Sequence, residues 1–363
     1  MSLRDIRRHA GRLLLVGFDG YEVGSDLRAL ARAFDLGGAV LFERNIDEPR
    51  QVADLSRQIG ELGAEVPPWI AVDQEGGRVA RLPAPFTQWP PARAIGACGD
   101  FGLVRRFARA LAVELRAAGI TLDFAPVLDV QTNPANTVIG DRAFSDRPET
   151  VARLGRIVIE ELQAAGVAAC GKHFPGHGDT TADSHVELPV VDHPLERLRQ
   201  VEFVPFAEAV RAGVACLMTA HLLVPAVDDE RPATVSAAIL GLLRRELGFD
   251  GLVIADDLEM AALAHRYRAE EAAVRALAAG CDLLLLCRPD PDRQVAVIEA
   301  IIHAVEEGTV PPARVEEALK RDRRAKERLL APDAGRAPVP VLADVLARRE
   351  HLELADELAR TWS

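Results

Sequence analysis

No apolar run in these 363 residues approaches the roughly 20 that a membrane-spanning helix needs. The N-terminal stretch MSLRDIRRHAGRLLLVGF is charged throughout its first dozen residues. The apolar run that follows is six residues long, too short for a signal-peptide core. The expectation is a cytoplasmic protein with no membrane partner. Cysteine is scarce: five residues, an odd number, with no CxxC pair. That excludes a disulfide framework and reads as reduced thiols, four of them inside apolar runs. Positive charge is in deficit, 43 Lys and Arg against 55 Asp and Glu, for a net charge of −12. Such a chain repels polyanions, which excludes nucleic acid as a natural partner. A glycine-rich dinucleotide turn after the first apolar run is also missing, as are HExxH and an early HxH.

What is present is alternation. Eight short apolar runs recur: Leu13–Phe18, Gly37–Phe42, Trp69–Asp73, Ile120–Val127, Val167–His173, Ala215–His221, Gly251–Asp257 and Cys281–Cys287. Each is too short for a helix and is bounded by Gly, Pro, Asp or His. Continuous apolar runs suit parallel strands buried on both faces. Between them lie amphipathic stretches, including Phe101–Ala118, Glu149–Ala165, Pro205–Ala212, Ala237–Leu247 and Glu270–Ala279. Four of these lead into a glycine and then a strand (AAGI, AAGV, RAGV, AAGC), the mark of a left-handed helix cap. Eight strands alternating with helices predict a (β/α)8 TIM-like barrel over residues 1–330, with an open doubly wound sheet as the alternative. A Pro/Ala linker, 331–341, and one amphipathic helix, 342–363, docked on the barrel, complete the expected organisation.

Barrels of this kind do their chemistry where strands end. Run three ends in Asp73, run five in Lys172-His173, run six in His221 and run seven in Asp256-Asp257. Long connections follow runs three, four and five, enough chain to build a pocket on one face. Solvent exposure alone explains any single polar strand end, but explains poorly Lys, His and Asp gathered on one face.

The densest polar stretch is KHFPGHGDTTADSH, Lys172 to His185. His173, His177 and Asp179, with His185 and His221, offer ligand types that zinc accepts. Pro175 and Gly176 nevertheless break any helix that would aim two imidazoles at one ion, so no metal and no cofactor are expected. In Asp183-Ser184-His185 a carboxylate two residues from an imidazole can orient the ring and raise its pKa, giving a group able to donate and recover a proton. Asp256, ending a buried strand, is rigidly held as a nucleophile should be. The adjacent Asp257 leaves a second chemistry open, in which neighbouring acids assist attack by a group of the substrate itself.

Together GAVLFERN (38–45), VDQEGGRVARL (72–82), DFAPVLDV (123–130), NTVIGDRAF (136–144), KHFPGHGDTTADSH (172–185), LMTAH (217–221) and VIADDLEM (253–260) resemble family 3 glycoside hydrolases, specifically the bacterial NagZ-type β-N-acetylglucosaminidases. The resemblance covers about residues 10–330. It implies a retaining exo-enzyme with Asp256 as nucleophile, His185 as proton donor and acceptor, and Asp183 orienting and tuning His185. It also implies sugar binding by Asp73, Arg81, Arg142, Lys172 and His173. The implied substrate is N-acetylglucosamine β-1,4-linked to 1,6-anhydro-N-acetylmuramic acid, with or without peptide, in peptidoglycan recycling. The chain looks like the family's single-domain form. ADD stands where SDD is usual, and GDRAF where GDRSF is common, which leaves the catalytic set intact. Gly176 and Gly178 are expected to let the loop turn and move. The rivals are a phosphorylase on the same site, a sugar-binding module without turnover, and a metal-dependent hydrolase.

Overall fold

The computed structural model describes residues 1–63, 65–180, 188–330 and 339–362. All eight apolar runs contain a strand: β1 (Leu14–Val16), β2 (Gly38–Leu41), β3 (Trp69–Val72), β4 (Leu122–Asp123), β5 (Ala168–Phe174), β6 (Cys216–Thr219), β7 (Leu252–Ala255) and β8 (Leu283–Leu286). Each pairs in parallel with its sequence neighbours, and β1 closes on β8, with Leu15 opposite both Gly38 and Leu285. The result is a (β/α)8 barrel. β4 is the shortest strand because Pro126, two residues beyond Phe124, has no N–H to extend the ladder.

Both faces of the strands are apolar, for different reasons. Leu15, Val40, Ala71, Leu122, Cys170, Met218, Ile254 and Leu285 point inward and fill the barrel. Their neighbours Val16, Leu41, Val72, Leu217, Val253 and Leu284 point outward against the helices. Side chains along a strand alternate between faces, so one set fills the lumen while the other anchors the helical ring.

The expected helices Phe101–Ala117, Pro148–Ala164, Phe203–Arg211 and Ala269–Ala279 form with ends within two residues of expectation. Gly119, Gly166, Gly213 and Gly280 all have φ between 70° and 126° and close them. The stretch Ala237–Leu247 departs from one helix. An α-helical turn, Ala237–Gly241, widens into a π-helical turn, Leu242–Glu246, from which Arg244 reaches the carbonyls of Phe249 and Gly251.

Helix Pro312–Leu330 crosses the N-terminal end of the barrel. Its buried Asp322 accepts hydrogen bonds from Trp69 Nε1 (2.8 Å) and Arg12 (3.2 Å), and Lys326 donates to the Gly37 carbonyl at 3.0 Å. This end is therefore sealed by paired charge, leaving the opposite end for a site.

The C-terminal segment, expected as one helix, forms two, Leu342–Val345 and Arg349–Arg360. The break falls at Ala347, whose φ is 50° and whose N–H is drawn to the Pro85 carbonyl at 3.2 Å. The second helix lies on Phe101–Ala117, where His351 Nδ1–H donates to Glu114 at 2.8 Å. Leu354 and Leu358 are buried there, whereas Leu352 and Trp362, counted in the expected apolar face, are exposed. Most of the expected linker, 331–338, lies outside the described residues.

Candidate active site

Continuing the two-residue alternation past the lumen core gives the site. Beyond Trp69 and Ala71 comes Asp73; beyond Ala168 and Cys170, Lys172; beyond Leu252 and Ile254, Asp256; beyond Val40, Phe42. These side chains stand at the C-terminal mouth and line one cavity of about 320 Å³. Arg78 and Arg81 join them from the connection after β3, Thr137 to Ile139 and Arg142 from that after β4, and His173 and His177 from the end of β5.

A buried ionic cluster forms one wall. Lys172 Nζ is 2.7 Å from both Asp73 Oδ1 and Glu75 Oε1. Arg142 meets the Glu75 carboxylate with two parallel N–H bonds of 2.7 and 2.8 Å. Burial pushes the Glu75 carboxyl up, but Arg142 and Lys172 outweigh it and hold Glu75 well below the usual range. Burial lowers Lys172 too, and Asp73 and Glu75 more than restore it, so it stays charged. Arg81 approaches Asp73 Oδ2 at 3.7 Å, and its buried Nε has no hydrogen-bond partner among the described residues. A buried donor without a partner beside a cavity is a position for a ligand oxygen.

A second cluster sits where β5 ends. His173 Nδ1 is 2.7 Å from Asp129 Oδ2, and Asp129 Oδ1 accepts the backbone N–H of His177 at 2.7 Å. Burial drives the His177 imidazole down to about 4, so it is neutral near pH 7. Its Nδ1 is bonded to Thr180 at 2.6 Å. Gly176 has φ 123° and makes the turn; Gly178 fits against the carbonyl of Val130, where a Cβ would lie 1.9 Å away. The second glycine thus serves a close backbone approach.

Asp256 and Asp257 differ sharply although adjacent. Burial pushes Asp256 up, but the imidazoles of His221 and His173, the Asp257 N–H at 2.8 Å and Lys172 hold it below its ordinary value, so it is an anion. Asp257 is raised to about 6 by burial. Its Oδ1 accepts the N–H groups of Glu259 and Cys287, each at 3.2 Å, and its carbonyl accepts His221 Nε2–H at 2.9 Å. Environments that drive two carboxyls apart separate their roles.

Of the residues expected from sequence, Asp73, Arg81, Arg142, Lys172, His173 and Asp256 line this one cleft. Asp183 and His185 lie outside the described residues. The described histidines among those weighed as metal ligands are otherwise engaged: His173 with Asp129, His177 with Thr180, His221 with Thr234 and the Asp257 carbonyl. Asp179 pairs with His193 and Thr132. Among the described residues no three His, Cys, Asp or Glu side chains are grouped to hold a metal ion. Sequence reasoning missed Glu75 and Asp129. Glu75 could have been found as the second acid of DQE, and Asp129 as the last residue of DFAPVLD, two residues past the apolar run.

A parallel barrel whose C-terminal mouth gathers a fixed carboxylate nucleophile candidate with paired acids, arginines and a lysine belongs to the class of barrel enzymes that handle polyhydroxylated substrates. Residues 6–324 match the Glycosyl hydrolase family 3 N terminal domain. The chain is 43% identical over 280 residues to Beta-hexosaminidase of Thiobacillus denitrificans, covering 76% of this chain and 77% of that one. It superposes on a family 3 β-N-acetylglucosaminidase from Paenibacillus sp. with a TM-score of 0.92 and 44% identity, covering 98% of this chain and 68% of that one. NagZ from Neisseria gonorrhoeae, solved with N-trifluoroacetyl-D-glucosamine, aligns with a TM-score of 0.78 and 30% identity, over 97% of this chain and 98% of that one. The chain belongs to glycoside hydrolase family 3.

Proposed function

We propose that this glycoside hydrolase, of the β-N-acetylhexosaminidase class of its relatives, is a retaining exo-β-N-acetylglucosaminidase. Its substrate on this reading is GlcNAc linked to 1,6-anhydro-N-acetylmuramic acid, bare or carrying peptide, in cytoplasmic peptidoglycan recycling. The observation that carries the mechanism is the ionised Asp256 standing at the end of β7, in the cavity that Asp73, Arg81, Arg142, Lys172 and His173 also line.

In the first step Asp256 attacks the anomeric carbon while the glycosidic bond breaks. The leaving oxygen takes a proton from His185, which Asp183 orients. In the second, His185 recovers that proton from water, which attacks the same carbon and releases Asp256. Asp73 accepts from sugar hydroxyls, and Arg81, Arg142 and Lys172 donate to sugar oxygens. Asp257 commits its Oδ1 to two backbone N–H groups, whereas Asp256 is held as an anion, which supports the covalent route.

A fluorinated sugar trap is expected to label Asp256, and Asp256→Ala to abolish turnover; a label on another residue overturns the assignment. His185→Ala should slow substrates with poor leaving groups far more than nitrophenyl glycosides. Free GlcNAc is the expected product with or without phosphate. Sugar 1-phosphate would make the protein a phosphorylase instead.

A further inference from the structure

We propose that Gln74 is a positioning residue: its amide oxygen sets where Arg81 stands in the cleft, and so where the unpartnered Arg81 Nε–H is offered. The inference rests on the reading above in taking that donor to meet a sugar oxygen. Directly after β3 the chain folds into a short antiparallel hairpin, Gln74–Gly76 against Val79–Ala80, with Gln74 opposite Ala80. Gly76 (φ 101°) and Gly77 (φ 58°) make its turn, so that Arg81 leaves the hairpin back beside Asp73. A two-stranded hairpin this short is marginal on its own and needs an anchor.

Gln74, itself buried, is that anchor. Its Oε1 accepts the backbone N–H groups of Arg81 (2.9 Å) and Leu82 (3.0 Å). Its own N–H donates at 3.0 Å to Oδ1 of Asp123, a fully buried residue at the end of β4. One residue thus ties the hairpin exit to the barrel. The Arg81 side chain is held far more loosely. Its Nη2 lies 3.7 Å from Asp73 Oδ2, beyond hydrogen-bond length, and its guanidinium stands 5.9 Å from the centre of the Phe42 ring. Its Nε is buried and has no hydrogen-bond partner among the described residues. With side-chain contacts this weak, the reach of the guanidinium into the cavity it lines depends on where residue 81 leaves the hairpin. The Gln74 oxygen fixes that point.

A double-mutant cycle separates positioning from a merely structural bond. Gln74→Met keeps the length of the side chain but has no oxygen to accept either N–H. It should lower kcat/KM on nitrophenyl GlcNAc by about 10- to 100-fold. In an Arg81→Ala background the same change should cost much less, because the group it places is gone. Equal losses in both backgrounds, or no loss in the first, overturn the proposal. Gln74→Asn, an amide one methylene short, replaces Gln74→Met should that protein not fold; it should show the same coupling in smaller degree, and a lack of coupling overturns the proposal equally. Hydrogen exchange on wild type needs no turnover: the Arg81 and Leu82 amides should be protected, and open-chain exchange at both removes the anchor. If another nitrophenyl glycoside proves the better substrate, the reading above fails, and the cycle run on that glycoside still decides the role of Gln74.

Discussion

Lys172 Nζ and Glu75 Oε1 lie 2.7 Å apart with neither side chain more than 3% exposed, and Arg142 shares the same carboxylate. Removing one member of a buried pair leaves a buried charge uncompensated, which costs about 3–5 kcal/mol. Glu75→Ala does this to Arg142, while Lys172 keeps Asp73. It should unfold at markedly lower urea and lose most activity. Glu75→Gln keeps the shape and one acceptor, so its loss should be smaller. Equal stability of the two variants in urea titrations would mean that the shared charge does not hold this wall.

Asp257 gives a pH signature of unusual sign. Its folded value is raised from 3.8 to about 6 by burial. Between those values the folded protein keeps a proton that the unfolded chain has released. The stability due to that proton is complete below 3.8 and is lost as pH rises through about 6. Asp257→Asn stays neutral throughout. Its Tm should match wild type in acid and exceed it above pH 6, and calorimetry across that range checks both limbs. Glu75 and Asp256 are shifted the other way, so the stability they contribute is present above the ordinary carboxylate range and falls only on acidification below it.

Much of this molecule could be read from its pattern, because the eight strands are buried on both faces and so leave unbroken apolar runs. The strand-end rule then found Asp73, Lys172 and Asp256, since alternation carries those side chains into the lumen mouth. Glu75 and Asp129 escaped it. They lie past the strand ends, and their roles come from tertiary partners, Arg142 for one and His173 for the other, far away in sequence. The break at Ala347 escaped for the same reason: a helix-favouring stretch is interrupted by a carbonyl from Pro85, which no local periodicity contains.

The tail offers a contrast within one helix. Leu354 is 2% exposed and packs against the barrel's helical ring, whereas Leu352, two residues earlier, is 45% exposed. Truncating a buried leucine costs about 2–5 kcal/mol, while an exposed change stays within about 0.5 kcal/mol. Leu354→Ala should lower the urea midpoint clearly and Leu352→Ala hardly at all. Equal effects would mean that the Arg349–Arg360 helix does not dock in solution as described.

Gly178 separates close packing from mere flexibility. An added Cβ would sit 1.9 Å from the backbone carbonyl oxygen of Val130, which cannot rotate away. Relieving that clash must shift Val130 or the 177–179 backbone, and with it the bond from His177 N–H to Asp129. Overpacking of this kind costs about 1–3 kcal/mol. Gly178→Ala should therefore lose stability, and lose kcat/KM as Asp129 and His173 move. Gly60 provides the control: it ends the helix Pro49–Gly60, and a methyl group added there would meet nothing within 4 Å. Gly60→Ala should gain up to about 1 kcal/mol from helix propensity. Thermal denaturation of both variants decides the matter: a Gly178→Ala protein as stable and active as Gly60→Ala would show that the loop yields freely and that its glycine serves motion instead of contact.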